Sequence, residues 1–449
     1  MKDENTLYWI WLSERCGIAS KEFGKLAVRY DNPFELYRMD EDEIEHLEGI
    51  TPTLKARLHD KSLESSYAIL RYCKANRVDV ISYADARYPA RLRNIETPPV
   101  LLYVLGKLPD MNRRLCVGIV GTRKMSEYGR HSAYKISYEL ASANAVIVSG
   151  MASGIDGVAA CAALACGGST VAVLGCGISV VYPKEHDVLM RAIGKHGAVV
   201  TEFPPNERPL RRNFPLRNRI ISGLCQGSLV IEGPMRSGAL ITAKLTVEQG
   251  RELFVLPGNI NASTSAGSNE LIQSGARVVL SADDVLRHYD FLYHETIDYK
   301  GLRKAKSKTV AEKDALRRFG VSGETVETDV STEETVEQSA SVDSEAVPSK
   351  SVKTATTVKK GNNEQTLAKE IKHEDAPRAS AKEDGSKVLL ASLDASTRRV
   401  FEGMPTDRAV SPDALIFDGM GIGEVITSLT LLELSGLVSS LPGGVYIKR

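Results

Sequence analysis

Six glycine-rich segments share one stretch of the chain: CVGIVGTRKMSEYG (116–129), SGMASGID (149–156), TVAVLGCG (170–177), FPLRNRIISG (214–223), VIEGPMRSGALITA (230–243) and FVLPG (254–258). Short β-branched runs recur through it, at Val117 to Val120, Ala145 to Val148, Thr170 to Leu174, Val199 to Thr201, Leu229 to Ile231, Leu253 to Leu256 and Val278 to Leu280. They alternate with segments of helical periodicity. That rhythm predicts an α/β domain, a Rossmann-like parallel sheet covered by helices on both faces. The glycines gather where the strands end, the edge at which open α/β sheets bind ligands.

After the first strand, GTRK leads into a helix whose apolar positions Ala133, Ile136, Leu140 and Ala143 are spaced three, four and three apart. Gly118 and Gly121 are expected to let the backbone turn tightly and approach a ligand, and the helix start to offer unpaired N–H groups to a phosphate. A nicotinamide fingerprint needs G-x-G-x-x-G and an acidic residue at the end of the second strand. The spacing here is G-x-x-G and that strand ends in Ser149-Gly150, so neither NAD nor FAD is expected. No G-x-x-x-x-G-K-[ST] phosphate loop stands at any strand end.

Arg123 projects over the first turn. Between Glu207 and Ile220 the sequence supplies Arg208, Arg211, Arg212, Arg217 and Arg219 against a single carboxylate, ahead of an expected strand end. Guanidinium groups present planar forks of donors that suit phosphate oxygens. Lys184, in the Tyr182-Pro183-Lys184 turn, adds a cation at the same edge, and Phe203 and Phe214 flank the arginines. Cations interleaved with aromatics are what a single nucleic-acid strand needs, because the backbone tracks charge while bases stack. Phe214 reads equally well as core. Gly238 in RSGALITA opens a further helix and a second amide-lined anion site. Asp156 and Glu202 are the carboxylates nearest the sheet edge; no histidine is placed to pair with either, His186 reads as solvated, and Asp156 reads as a helix cap.

Lys+Arg and Asp+Glu both number 57 in 449 residues, so any electrostatic case for a polyanion is local. Seven cysteines show no metal-ligand spacing and suit buried thiols in a reducing compartment; no metal or cofactor is expected. There is no signal-like N-terminus and no apolar run of membrane length, which predicts a cytoplasmic protein.

Outward from the central stretch, residues 1–75 carry helix-period apolar positions, and LEGITPTLKARL (47–58) has the shape of a helix-hairpin-helix or a plain helical cap. VDVISYAD and PPVLLYVLG read as two strands leading into the main domain, 76–295. Residues 296–387, dominated by Lys, Glu, Thr, Ser and Ala, are expected to form a disordered linker. In 388–449, STRRVFEGM, SPDALIF and GEVITSLTLLELSGLV predict three helices and LVSSLPGGVYIKR a hairpin, the layout of a winged helix. From Ala409 to Ile447 there is no Lys or Arg. Phosphate contacts require cations, so this domain reads as a protein-interaction module.

Taken in order, GTRKMSEYG, SGMASGID, TVAVLGCG, the YP turn, FPLRNRIISG, SGALITA with EQGRELFVLPG, and LIQSGA resemble the DNA-processing protein A (DprA/Smf) family over residues 80–290. The helical N-terminal part and the terminal LLELSGLV and PGGVYIKR resemble that family's flanking domains. The resemblance implies an extended Rossmann domain that binds single-stranded DNA, dimerises, protects incoming DNA and loads the RecA recombinase during natural transformation, without catalysis. Carried over, the DNA-binding positions are Gly121, Thr122, Arg123, Lys184, Arg217, Asn218, Arg219, Ser237 and Gly238. The chain departs from the family at Ala159-Ala160, where an Ala-His pair is usual, and at His186, where the YP-x-x-Asn turn ends in Asn. The rival reading is a nucleotide hydrolase of the lysine-decarboxylase-like (LOG) group, whose P-G-G-x-G-T-x-x-E motif would place a Glu where RSGALITA has no carboxylate. A third is a scaffold with a vestigial site.

Overall fold

The computed structural model describes residues 2–307, 311–326, 395–405, 410–415, 420–435, 437–441 and 445–448, which divide between two units at Gln338 and Ser339. The first unit is built on nine strands: β1 (Val78–Ser82), β2 (Leu101–Gly106), β3 (Cys116–Val120), β4 (Val146–Ser149), β5 (Ser169–Val173), β6 (Ala198–Thr201), β7 (Gly227–Val230), β8 (Glu252–Val255) and β9 (Arg277–Val278). Their order across the sheet is β1-β2-β6-β5-β4-β3-β7-β8-β9. From β6 to β9 the sheet is parallel, and β2 and β1 extend it antiparallel. The VDVISYAD and LLYVLG segments are thus part of the main sheet.

Both faces of the sheet are covered, and the strands show why the sequence runs are continuously apolar. In β3, Val117 and Ile119 enter one core and Cys116 and Val120 the other. Helices Glu127–Ser142, Ile155–Ala165 and Asp187–His196 bury Ala133, Ile136, Leu140, Val158, Leu189 and Ile193 on the first face. Helices Asn213–Leu224 and Gly238–Glu248 bury Ile220, Ile221, Leu224, Ala239 and Ala243 on the second. The chain winds from β3 through β4 and β5 to β6, then returns past β3 to form β7. That reversal opens a crevice between β3 and β7 at their C-terminal ends, the place where such sheets take ligands.

Helices Lys2–Cys16, Phe23–Arg29, Pro33–Arg38, Glu41–Glu45, Pro52–His59 and Glu64–Ala75 form the N-terminal part, and their apolar residues join the first core. The turn in LEGITPTLKARL is made by Gly49 at φ +73° and Thr51, which caps Pro52–His59 by accepting from the Leu54 N–H.

Part of the expected linker is ordered. Helices Tyr299–Lys306 and Glu312–Phe319 pack on the Rossmann core with Leu302, Ala305, Leu316, Phe319 and Val321 buried, and Val326 N–H donates to the Met125 carbonyl at 2.9 Å. Five apolar residues at helical spacing suffice to bury a face even in a charged sequence. The rest of that expectation, residues 327–387, lies outside the described residues.

The second unit contains helix Ala395–Gly403, a 3₁₀ turn Pro412–Leu415 where a helix was expected, helix Ile422–Leu434, and the antiparallel pair β10 (Val438–Leu441) and β11 (Val445–Lys448). Val400, Met404, Leu415, Val425, Leu429, Leu432 and Val438 form its core. The expected hairpin turn, 442–444, lies outside the described residues. Among the described residues no helix is long and apolar enough to cross a membrane.

Candidate anion-binding site

A depression of about 290 Å³ occupies the crevice between β3 and β7. It is lined by Gly121, Thr122 and Arg123 from the turn after β3, by Phe214, Arg217 and Asn218 from helix Asn213–Leu224, and by Arg236, Ser237 and Gly238 from the turn after β7, with Asp156 beneath. The segment FPLRNRIISG, expected to run toward a strand end, is helical. Its spacing places Phe214, Arg217 and Asn218 on the face toward the crevice and Arg219 on another.

The Phe214 ring is the centre of the cationic rim. The Arg123 guanidinium lies 5.6 Å from its centroid and that of Arg217 5.8 Å, while the Tyr182 ring packs at 5.3 Å. Arg123 is exposed. Arg217 is buried, and its Nη1 donates to the carbonyls of Gly150, at 2.9 Å, and Val173, while Nε donates to Asn218 Oδ1 at 3.1 Å. Nη2 has no hydrogen-bond partner among the described residues. Burial, only partly opposed by the nearby Asp156 carboxylate and reinforced by the charge of Arg123, pulls Arg217 down to about 10. Two cations that repel each other across an aromatic ring are relieved by an anion placed between them.

Asn218 ties the site together, since its Nδ2 also donates to the Gly238 carbonyl at 3.3 Å. Ser237 caps helix Gly238–Glu248 by accepting from the Ala239 N–H at 3.2 Å. No atom stands within 4 Å of where a side chain on Gly238 would begin, so this helix start is open.

The other expected phosphate position is filled by the protein. At the start of helix Glu127–Ser142 the buried Glu232 carboxylate accepts from Ser126 N–H at 2.9 Å and from the Ser126 hydroxyl, and Ser126 Oγ accepts from Gly129 N–H at 3.0 Å. Glu232 is the carboxylate that sequence reasoning missed, because it lies in an apolar strand end and its partner is 106 residues away. Gly121 also has a different role from the one expected. A Cβ there would stand 2.6 Å from Ile155, so the glycine serves close packing of the turn on the next helix. Gly154, at φ +83°, completes that contact: its missing Cβ would fall 2.4 Å from the Thr122 carbonyl, which accepts from Ile155 N–H.

Three further residues differ from their sequence reading. Asp156 does not cap its helix; Gly154 holds that position, and Asp156 Oδ2 accepts from Gly150 N–H at 3.0 Å beside Arg217. Burial pushes its carboxyl up despite Arg217. His186 is buried and donates from Nδ1 to the Met151 carbonyl at 3.1 Å, and burial lowers its pKa. Arg219 stands outside the depression, paired with the buried Glu202 at 2.6 Å. Lys184 also lies outside the lining, exposed on a turn that meets the Gly150–Gly154 loop where Ser153 Oγ donates to Glu185 at 3.2 Å. Arg236, exposed in the lining, carried a signal in RSGALITA that the sequence reading passed over.

Comparison with known proteins bears on this geometry. The family described as DNA recombination-mediator protein A matches residues 79–290, and the DprA winged helix domain matches 385–444. The DNA processing protein DprA of Streptococcus pneumoniae is 45% identical over 210 residues, covering 47% of this chain and 74% of that protein. Its Bacillus subtilis counterpart is 36% identical over 236 residues, covering 52% and 80%. The chain belongs to the DprA/Smf family. The X-ray structure of DNA processing protein A from S. pneumoniae superposes with a TM-score of 0.54 at 36% identity, covering 63% of this chain and 97% of that one. The DprA/Smf-family core thus includes both β1–β2 and the crevice with its arginines.

Proposed function

We propose that this DprA/Smf-family chain is a recombination mediator that binds single-stranded DNA, without catalysis, across the β3/β7 crevice. The observation that carries the reading is the pair of guanidinium groups, Arg123 and Arg217, held on one exposed edge of Phe214 beside the open start of helix Gly238–Glu248. In this reading a phosphate meets Arg123, Arg217 Nη2, Arg236 and the Gly238 amide, and a base stacks beside Phe214. Lys184, Arg208, Arg211 and Arg212, all exposed, continue the track along the rim. A flexible strand can follow a curved, one-sided rim of cations and aromatics that a stiff duplex meets at fewer points.

The hydrolase reading is less well supported by the site. Its lining carboxylate, Asp156, is held by Gly150 N–H next to Arg217, and RSGALITA supplies no second one. Dimerisation and RecA loading rest on the family resemblance and are proposed with it. The test is a titration of the full chain with labelled single strand against unlabelled duplex competitor at several salt concentrations. Single-strand preference with affinity falling as salt rises is expected. Equal affinity for duplex, or free base released from nucleoside monophosphates at enzymatic turnover, would overturn the proposal.

A further inference from the structure

The second unit has the winged-helix layout, in which helix Ile422–Leu434 is the element that would enter a DNA groove. Val425, Ser428, Leu429 and Leu432 of that helix are buried. At 100° per residue, the opposite side runs in order through Glu433, Ile426, Thr430, Thr427, Leu431 and Glu424. Every one of those six is exposed, Ile426 at 46% and Leu431 at 40%. The face therefore has a neutral centre with two aliphatic side chains and a carboxylate at each margin. No Lys or Arg occurs between Ala409 and Ile447 to offset them. At the end of β11, Lys448 lies 4.6 Å from the Phe401 ring centroid and is engaged there.

Such a face repels phosphate and matches the anatomy of a protein interface, with apolar anchors inside a charged rim. We infer that the exposed face of Ile422–Leu434 docks a protein segment that presents apolar side chains between lysines or arginines, and that it does not read duplex DNA. The carboxylates at the two margins fit cations on either side of an apolar contact, which fixes the partner's chemistry.

The probe is a labelled amphipathic peptide of leucine and lysine, titrated into the full-length chain and followed by anisotropy. Ile426→Ser and Leu431→Ser remove the anchors without changing charge, at positions exposed enough to leave the fold intact, which thermal unfolding checks. Glu424→Lys reverses one margin. Each variant is expected to weaken the peptide by about tenfold, and Glu424→Lys also to flatten the salt dependence, with single-strand binding unchanged. Peptide affinity untouched by all three variants would overturn the proposal. So would duplex binding by the full chain that Ile426→Ser or Leu431→Ser abolishes, which would assign the face to DNA. Self-association lost in the same variants would also overturn it, assigning the face to a second copy of the chain.

Discussion

Arg123 stands exposed at the rim of the crevice while Arg217 lies beneath it, and the same substitution has different consequences at the two positions. Arg123 makes no ion pair among the described residues, so Arg123→Ala should leave the melting temperature unchanged. It should remove about 1.5–3 kcal/mol of strand binding, roughly ten- to hundredfold, and lower the salt slope of single-strand binding by about 0.7. Both are read from one set of titrations. Arg217→Ala strips partners from two buried carbonyls and leaves Asp156 buried without a cation. It should destabilise the fold by about 3–5 kcal/mol, visible in urea unfolding, so its loss of binding is interpretable only beside that measurement. His186 offers a pH test. Burial lowers its pKa from the ordinary 6.5, so the unfolded chain takes up the proton first as pH falls. Its contribution to stability is whole above that value and is lost as pH drops below it. His186→Asn should flatten the stability profile between about pH 7 and 5, and an unchanged profile would show that other groups set it.

Among the elements, helix Asn213–Leu224 bears on the site from both sides. Phe214, Arg217 and Asn218 face the crevice while Arg219 meets Glu202, whose carboxylate also accepts from the Ala19 amide of the N-terminal helices. Burial pushes the Glu202 carboxyl up, against the opposing effect of Arg219. Removing one partner leaves a buried charge, so Arg219→Ala should cost about 3–5 kcal/mol, whereas Arg219→Met with Glu202→Leu should recover most of it. Single-strand affinity of the double variant should match the parent; a drop beyond about threefold would make the pair part of the binding surface. The strands were legible because each is a β-branched run bounded by glycine, and the helix after GTRK because its apolar residues keep a 3.6 period. The RNR cluster could not be divided in the same way. One-residue steps on a helix turn neighbours through 100°, and only the tertiary partner, Glu202 for one and Phe214 for the other, separates the buried pair from the crevice. Glu232 was hidden for the same reason, its serine partner being distant in sequence.

Across the whole molecule, neutrality and local charge coexist: 57 cationic and 57 acidic side chains balance, yet the crevice rim collects arginines while the exposed face of Ile422–Leu434 has none. The boundary of the first unit is where composition misled. Charged, aromatic-poor sequence from 296 onward suggested that order ends there, but composition averages over a window and does not register five apolar residues spaced to meet a waiting surface. Glu312 reinforces that contact by accepting from the buried Arg130 and by approaching His131 within 3.2 Å. The segment to Val326 is therefore part of the folded unit, and its last hydrogen bond reaches Met125, two residues beyond Arg123. Phe319→Ala should cost about 3–5 kcal/mol, as for a buried aromatic elsewhere in a core, and lower the melting temperature of the full chain. A chain ending at 295 should melt well below one ending at 326. Limited proteolysis gives the independent reading: cleavage of the native protein should fall beyond Val326 and spare 299–326, whereas early cutting between Tyr299 and Phe319 would place the boundary where composition alone put it.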